Sequence, residues 1–262
     1  MNVRSALLAS LCVAGFPSAV VVSACPRQDN SGSPLDSALR QLWSADQTKR
    51  QNAKAELRDA GVEAIGPLVS LLEEFVFTPG STFGDRKEKQ FRRYLDYRRN
   101  TTSGIDREEG PGSMEEMSAV AVRVKQDVID LLGSLRAEAA VPVLIQLMFE
   151  ELEIAGLGRE NNYPEMDAIL KIGPPAIPGL VKTIETADQT AKSIEITGQR
   201  LSLKQRQQIR ESVRHLIQER TVVLLGKMRD ARVLPFLEEL MVKTSDEFLV
   251  PYVLEAIQNI KQ

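Results

Sequence analysis

The sequence predicts an all-α fold: an α-solenoid (superhelix) of stacked helical hairpins, about ten helices in all, with inserted loops on one edge. Three observations carry that expectation. Helix formers dominate the composition, one helix–turn–helix phrase recurs four times, and the chain added between copies always falls at the same kind of junction. Aromatic residues make up only 5% against 43% hydrophobic, too few for the alternating aromatic and β-branched strands of a sandwich or barrel. The abundant Leu, Ala, Glu, Gln, Lys and Arg favour helix instead.

The phrase reads LRDAGVEAIGPLVSLL over 57–72, LLGSLRAEAAVPVLIQLM over 131–148, LKIGPPAIPGLVKTI over 170–184 and LLGKMRDARVLPFLEELM over 224–241. In each copy a first helix ends in an apolar pair near a small residue, a short turn follows, and a second helix opens. Pro142, Pro178 and Pro235 open three of the second helices, where a missing N–H costs nothing; the first copy has Gly66 there and Pro67 next. The stripes Ile65, Leu68, Val69, Leu72; Val141, Leu144, Ile145, Met148; Ile177, Leu180, Val181, Ile184; and Leu234, Leu237, Leu240 with Met241 follow helical spacing, so each buries one face.

These copies resemble the HEAT-like repeat family, including the bacterial type seen in phycobilisome lyase-like proteins. The resemblance covers about residues 35–76 and 114–262 and implies helical hairpins that bury their apolar faces only by stacking.

In chain order, Met1 to Arg4 is a short positive start and Ser5 to Val22 runs without a charge, interrupted by Gly15 and Pro17. That is a secretory signal pattern over 1–24. Val22-Ser23-Ala24-Cys25 resembles the bacterial lipobox, with Val22 where Leu is most typical. The resemblance implies cleavage before Cys25 and a diacylglycerol thioether on its sulfur. An ordinary cleavage after Ala24 that leaves Cys25 free and an uncleaved anchor are the alternatives. Residues 25–34 read as the lipidated cysteine and a polar tether of roughly 15–18 Å, which keeps the body near the bilayer. The expected address is export to the cell envelope, with the membrane reached through the lipid. Without a second cysteine in the mature chain, the fold over 35–262 relies on packing alone.

Pro34 to Trp43 reads as an amphipathic N-terminal cap, with Trp43 in the core. Ser44 to Gln47 reads as a capping box opening a helix to about Ala60, and Ser113 to Glu116 as another opening a helix to about Leu135. A helix from about Leu201 to Met228 follows. Asp246 to Ile260 closes the chain with Leu249, Val253, Ile257 and Ile260 inward.

Corresponding leucines are unevenly spaced: 76 residues from Leu68 to Leu144, 36 from Leu144 to Leu180 and 57 from Leu180 to Leu237. The surplus falls after second helices, at about 77–112, 153–163 and 186–200, whereas the hairpin turns near Gly61, Arg136, Gly173 and Arg229 stay short. Connections of one type emerge on one edge, where they form a candidate recognition surface; tolerance of insertions wherever backbone is exposed explains the pattern equally well.

The insertion at 77–112 has halves of opposite sign. Arg86 to Arg99 holds seven basic and two acidic residues with aromatics between them, which marks Arg92, Arg93, Tyr94, Tyr97, Arg98 and Arg99 as candidate partner-binding residues. Asp106 to Glu116 holds five acidic residues and one basic, so the two halves pairing with each other is the bland alternative. A formal net charge of −3 draws the chain to neither nucleic acid nor an anionic surface. His215, the one histidine, sits beside its helix's apolar stripe at an edge. With no second histidine or spare cysteine, no metal site, cofactor or catalytic residue is expected. The acidic runs at Glu150, Glu151, Glu153 and at Glu238, Glu239 read as solvated faces. The expected function is a non-catalytic scaffold for a protein partner. The alternatives are an accessory subunit of an envelope complex, or an enzyme of the phycobilin-lyase or DNA-glycosylase kind that the family resemblance brings with it.

Overall fold

Positive φ occurs at four of the described residues, one in each expected hairpin turn: Gly61, Arg136, Gly173 and Arg229. The turns are of two kinds. Gly61 (φ 58°, ψ −123°) and Gly173 (φ 78°, ψ −141°) occupy a region open essentially to glycine. Arg229 (φ 52°, ψ 34°) is left-handed helical, which a side chain tolerates at a cost. Arg136 (φ 50°) closes its helix with two bonds: its own N–H donates to the Gly133 carbonyl at 3.1 Å and the Ala137 N–H to Leu132 at 3.0 Å. This 5→2 and 6→1 pair is the Schellman C-cap, with arginine where glycine is usual.

The structure is a computed structural model that describes residues 33–44, 46–76, 114–154, 163–193, 202–244 and 246–262. Among these there are no strands. Eleven α-helices are present: α1 Pro34–Gln41, α2 Gln47–Asp59, α3 Val62–Glu73, α4 Met114–Ser134, α5 Val141–Ile154, α6 Pro164–Ile172, α7 Ile177–Glu185, α8 Ala187–Ser193, α9 Leu203–Met228, α10 Leu234–Lys243 and α11 Val250–Lys261. The expected all-α fold is met. Single 3₁₀ turns at Glu138–Ala140, Pro174–Ala176 and Ala231–Val233 lead into α5, α7 and α10.

Several elements differ from the sequence expectation for identifiable reasons. Ser44 does not cap α2. Asp46 does, its Oδ1 accepting the Thr48 and Lys49 N–H groups at 2.7 and 3.3 Å, while Ser44 Oγ accepts the Asp46 N–H. Ser202 and Gln205 form a reciprocal capping box that opens α9 two residues later than expected, and Ser33 with Asp36 does the same for α1. Pro67 lies inside α3 rather than at its start, because the first copy continues its turn directly into α-helix where the other three insert a 3₁₀ turn. The chain after α7 is not all loop. Ala187 and Ala191, one helical turn apart, are buried and fix α8 against α9.

First helices of successive copies pack side by side with a constant register. Lys54 pairs with Asp127 at 2.6 Å and Arg58 with Asp130 at 3.3 Å, linking α2 to α4. Lys125 pairs with Glu165 at 2.9 Å and Lys171 with Asp130 at 2.8 Å, linking α4 to α6. Because residue numbers rise together along each pair, the helices run parallel. The closest approaches need glycine. A Cβ on Gly133 would stand 2.8 Å from Ala168 Cα, and one on Gly226 would stand 2.7 Å from Ala256 Cα. Gly133 and Gly226 hold equivalent places in the second and fourth copies, so α4 meets α6 as α9 meets α11. Second helices pack too: a Cβ on Gly179 of α7 would lie 3.2 Å from Val141 Cγ1 and 3.3 Å from Ile145 Cδ1 of α5. Most residues of the predicted stripes line one core, with Leu68, Leu144, Leu180 and Leu237 fully buried; Val181 and Leu234 are only partly buried. Trp43 is buried as expected and stacks on Phe75.

Gly226→Ala and Gly133→Ala are expected to destabilise the protein by about 1–3 kcal/mol through overpacking against backbone, outweighing the better helix propensity of alanine. Gly179→Ala meets only flexible side-chain ends and should cost less. Urea denaturation of the three variants checks the order.

Candidate functional site

Two arginines of α9 gather the connections that run between copies. Arg214 Nε lies 3.5 Å from Asp188 Oδ1 in α8, and its Nη2 donates to Asp246 Oδ2 at 3.2 Å in the connection between α10 and α11. His215 Nε2 is 2.7 Å from the same Asp246 oxygen, and its ring stacks on Phe248 at 5.5 Å between centroids. Asp246 Oδ1 accepts the Phe248 N–H at 3.1 Å, and Thr244 Oγ1 accepts the Asp246 N–H at 3.2 Å. One carboxylate therefore orders its own turn and ties it to α9. His215 is at an edge, as its position beside the stripe predicted, yet it is half-buried and held rather than solvated.

Arg220 fixes the point where the chain enters α6. Its Nη1 donates to the Met148 carbonyl at 3.1 Å, its Nη2 bonds to the Tyr163 hydroxyl, and the guanidinium lies 3.9 Å above the Tyr163 ring. Met148 is in the middle of α5 and Tyr163 immediately precedes α6, so a buried cation ties the entry to α6 to the body of α5. Burial of arginine is tolerated where it is paired and hydrogen-bonded. The sequence carried a signal for this residue, since Arg220 falls on the stripe of Ile217 and Leu224, where an apolar side chain is expected. No comparable signal marked Arg214, whose partners lie 26 and 32 residues away.

Beyond these contacts α9 extends outward. Every residue from Ser202 to Ser212 is exposed, including Leu203 at 87%. Its first turn holds no acidic residue. On the first-helix surface the Lys171 hydrogen bond, with Lys54 and Arg58 nearby, holds the Asp130 carboxyl below its ordinary value of 3.8. Glu165 is fully buried beside Lys125; the separation marks an ion pair although neither carboxylate oxygen accepts an aligned hydrogen bond.

The candidate residues Cys25, Arg92, Arg93, Tyr94, Tyr97, Arg98 and Arg99 all lie outside the described residues, as do the signal segment, the tether and the insertion at 77–112. Of the acidic runs, Glu238 and Glu239 are exposed, and Glu238 pairs with Lys261 at 2.9 Å. Among the described residues no three metal-ligating side chains converge, and no helix is long and apolar enough to cross a membrane. Comparison of the chain with protein-family models, with curated proteins and with solved structures finds no match.

The depressed Asp130 carboxyl gives a pH prediction. A carboxylate whose folded value lies below 3.8 contributes stability above that pH and loses it as the pH falls through the folded value. Asp130→Asn is expected to lower the melting temperature at neutral pH, with the difference from wild type shrinking below pH 3.8. Thermal melts across that range measure it.

Proposed function

We propose that this chain is a non-catalytic protein-binding scaffold of HEAT-like repeats, attached by a lipid at Cys25 to a membrane of the bacterial cell envelope. The observation that carries the scaffold reading is the parallel register of first helices. First helices meet at matched positions where α2 packs on α4, α4 on α6 and α9 on α11, as stacked hairpins in a solenoid require. The last helix repeats the contact: Ala256 of α11 docks on Gly226 of α9 as Ala168 of α6 does on Gly133 of α4. Such a stack offers a long ridge of first helices and an edge of between-copy connections. Arg214 and Arg220 give that edge a fixed frame on which inserted chain can be presented to a partner.

The address rests on the sequence around Cys25. A chain held by several acyl groups stays at the membrane, each buried CH₂ contributing about 0.8 kcal/mol. Full-length protein extracted from bacterial membranes is expected to have a mass that starts at Cys25 and includes a lipid adduct absent from Cys25→Ala. A cytosolic protein that retains Met1 would sink the address. For the scaffold, photo-crosslinkers on α2, α4 and on residues 92–99 are expected to capture a discrete envelope protein. Removal of residues 80–110 should leave circular dichroism nearly unchanged and weaken that capture. Full capture after the deletion would remove the inserted edge from the binding surface.

A further inference from the structure

The joint between α4 and α6 and the joint between α9 and α11 use nearly the same surfaces. Leu131-Leu132-Gly133 of α4 matches Leu224-Leu225-Gly226 of α9, all of them buried. Ala168-Ile169 with Ile172 of α6 matches Ala256-Ile257 with Ile260 of α11, and Ala168 and Ala256 are the residues that the two glycines meet. Both joints are parallel. Along α9 and the chain through α11 the contacts rise together, His215 with Asp246, Glu219 with Tyr252 and Gly226 with Ala256. Apolar seams so alike discriminate weakly, and repeated units misassemble through them. On apolar packing alone, α6 would fit α9 as well as α4, and α11 would fit α4.

One pair of positions tells the joints apart. Eight residues before the glycine, α4 has Lys125 and α9 has Gln218; three before the alanine, α6 has Glu165 and α11 has Val253. In the first joint Lys125 Nζ lies 2.9 Å from Glu165 Oε1, and that carboxylate is fully buried. In the second, Val253 is fully buried, and Gln218 Oε1 is buried with no hydrogen-bond partner among the described residues. The second joint packs without a charge, and a buried ion pair adds little net stability over an apolar pair of similar size. The charges between α4 and α6 therefore call for another reason, and an exchange of partners supplies it. Docking α6 on α9 would set the Glu165 carboxylate against the neutral Gln218 amide, out of water and away from Lys125. Docking α11 on α4 would set Val253 against the Lys125 ammonium. A buried charge separated from its partner is the costly state.

We propose that Lys125 and Glu165 are a pairing code that decides which first helix α6 docks on, acting against exchange with the α9–α11 joint rather than for stability. The code works during assembly of the fold, within one chain and between copies of it. It does not depend on the scaffold reading or on what the protein binds.

The test unfolds full-length protein in urea and refolds it in detergent. Wild type is expected to return as one species. Lys125→Gln alone strands the buried carboxylate and should weaken the folding equilibrium by about a hundredfold. Adding Glu165→Val copies the second joint into the first and should recover most of that loss. This double variant should nevertheless refold to a mixture, seen as exchanged oligomers by light scattering and doubled amide signals by NMR, because its two joints no longer differ. Adding Gln218→Lys and Val253→Glu moves the code to the other joint and should restore a single species. A double variant that refolds to one species like wild type overturns the proposal, because the pair then discriminates nothing. A double variant that cannot fold overturns it too, since the pair would then serve stability. So does a loss on Lys125→Gln that Glu165→Val leaves unrelieved, or a mixture that persists in the fourfold variant.

Discussion

The close approach of first helices at Gly133 and Gly226 is the constraint on which the rest of the packing depends. A side chain at either place would collide with the backbone of Ala168 or Ala256. With glycine there, two helices run side by side near enough for their flanking charges to pair in register. Lys54, Asp127, Asp130 and Lys171 then reach across three helices, and Lys125 reaches the buried Glu165. Exposed pairs of this kind contribute little stability each. Their value here is positional: a helix displaced by one turn would set Asp130 beside the wrong partners.

Polar residues do a different job at the ends of the helices. Arg220 ties Tyr163, just before α6, to the body of α5, and Arg214 with His215 fixes the connection before α11 through Asp246. Tying these points to α9 fixes them through polar contacts and leaves the apolar core untouched. The outer half of α9 is the exception, a helix carried past the body with no core of its own.

Most of the architecture was legible in the sequence because it depends on local signals. Apolar stripes at helical spacing, prolines at helix starts and four turn positions all lie where one-dimensional rules placed them. Misplaced details have local physical causes as well. Asp46 competes better than Ser44 for the first amides of α2, since a charged acceptor bonds more strongly. Ser202 and Gln205 carry a capping pattern that points to the true start of α9. The residues that frame the connections were harder to find. Arg214, Asp188 and Asp246 meet only after three segments have folded, and nothing in their own neighbourhoods announces it. Arg220 was readable as a cation on an apolar stripe, though its partners were not. The candidate partner-binding residues of the insertion, Arg92 to Arg99, are outside the described residues and rest on sequence alone.

The two kinds of hairpin turn differ in length as well as in backbone conformation. Glycine turns reach the buried leucine of the second helix in seven residues, and arginine turns take eight. A point mutation cannot convert one into the other, because conversion needs a residue gained or lost as well as an exchange of side chain. Yet the kinds alternate along the chain: glycine, arginine, glycine, arginine. The flanking sequence alternates with them. Ala64-Ile65 and Leu68-Val69 of the first copy reappear as Ala176-Ile177 and Leu180-Val181 of the third, while Leu131-Leu132-Gly133 of the second reappears as Leu224-Leu225-Gly226 of the fourth. By turn type the first hairpin goes with the third and the second with the fourth.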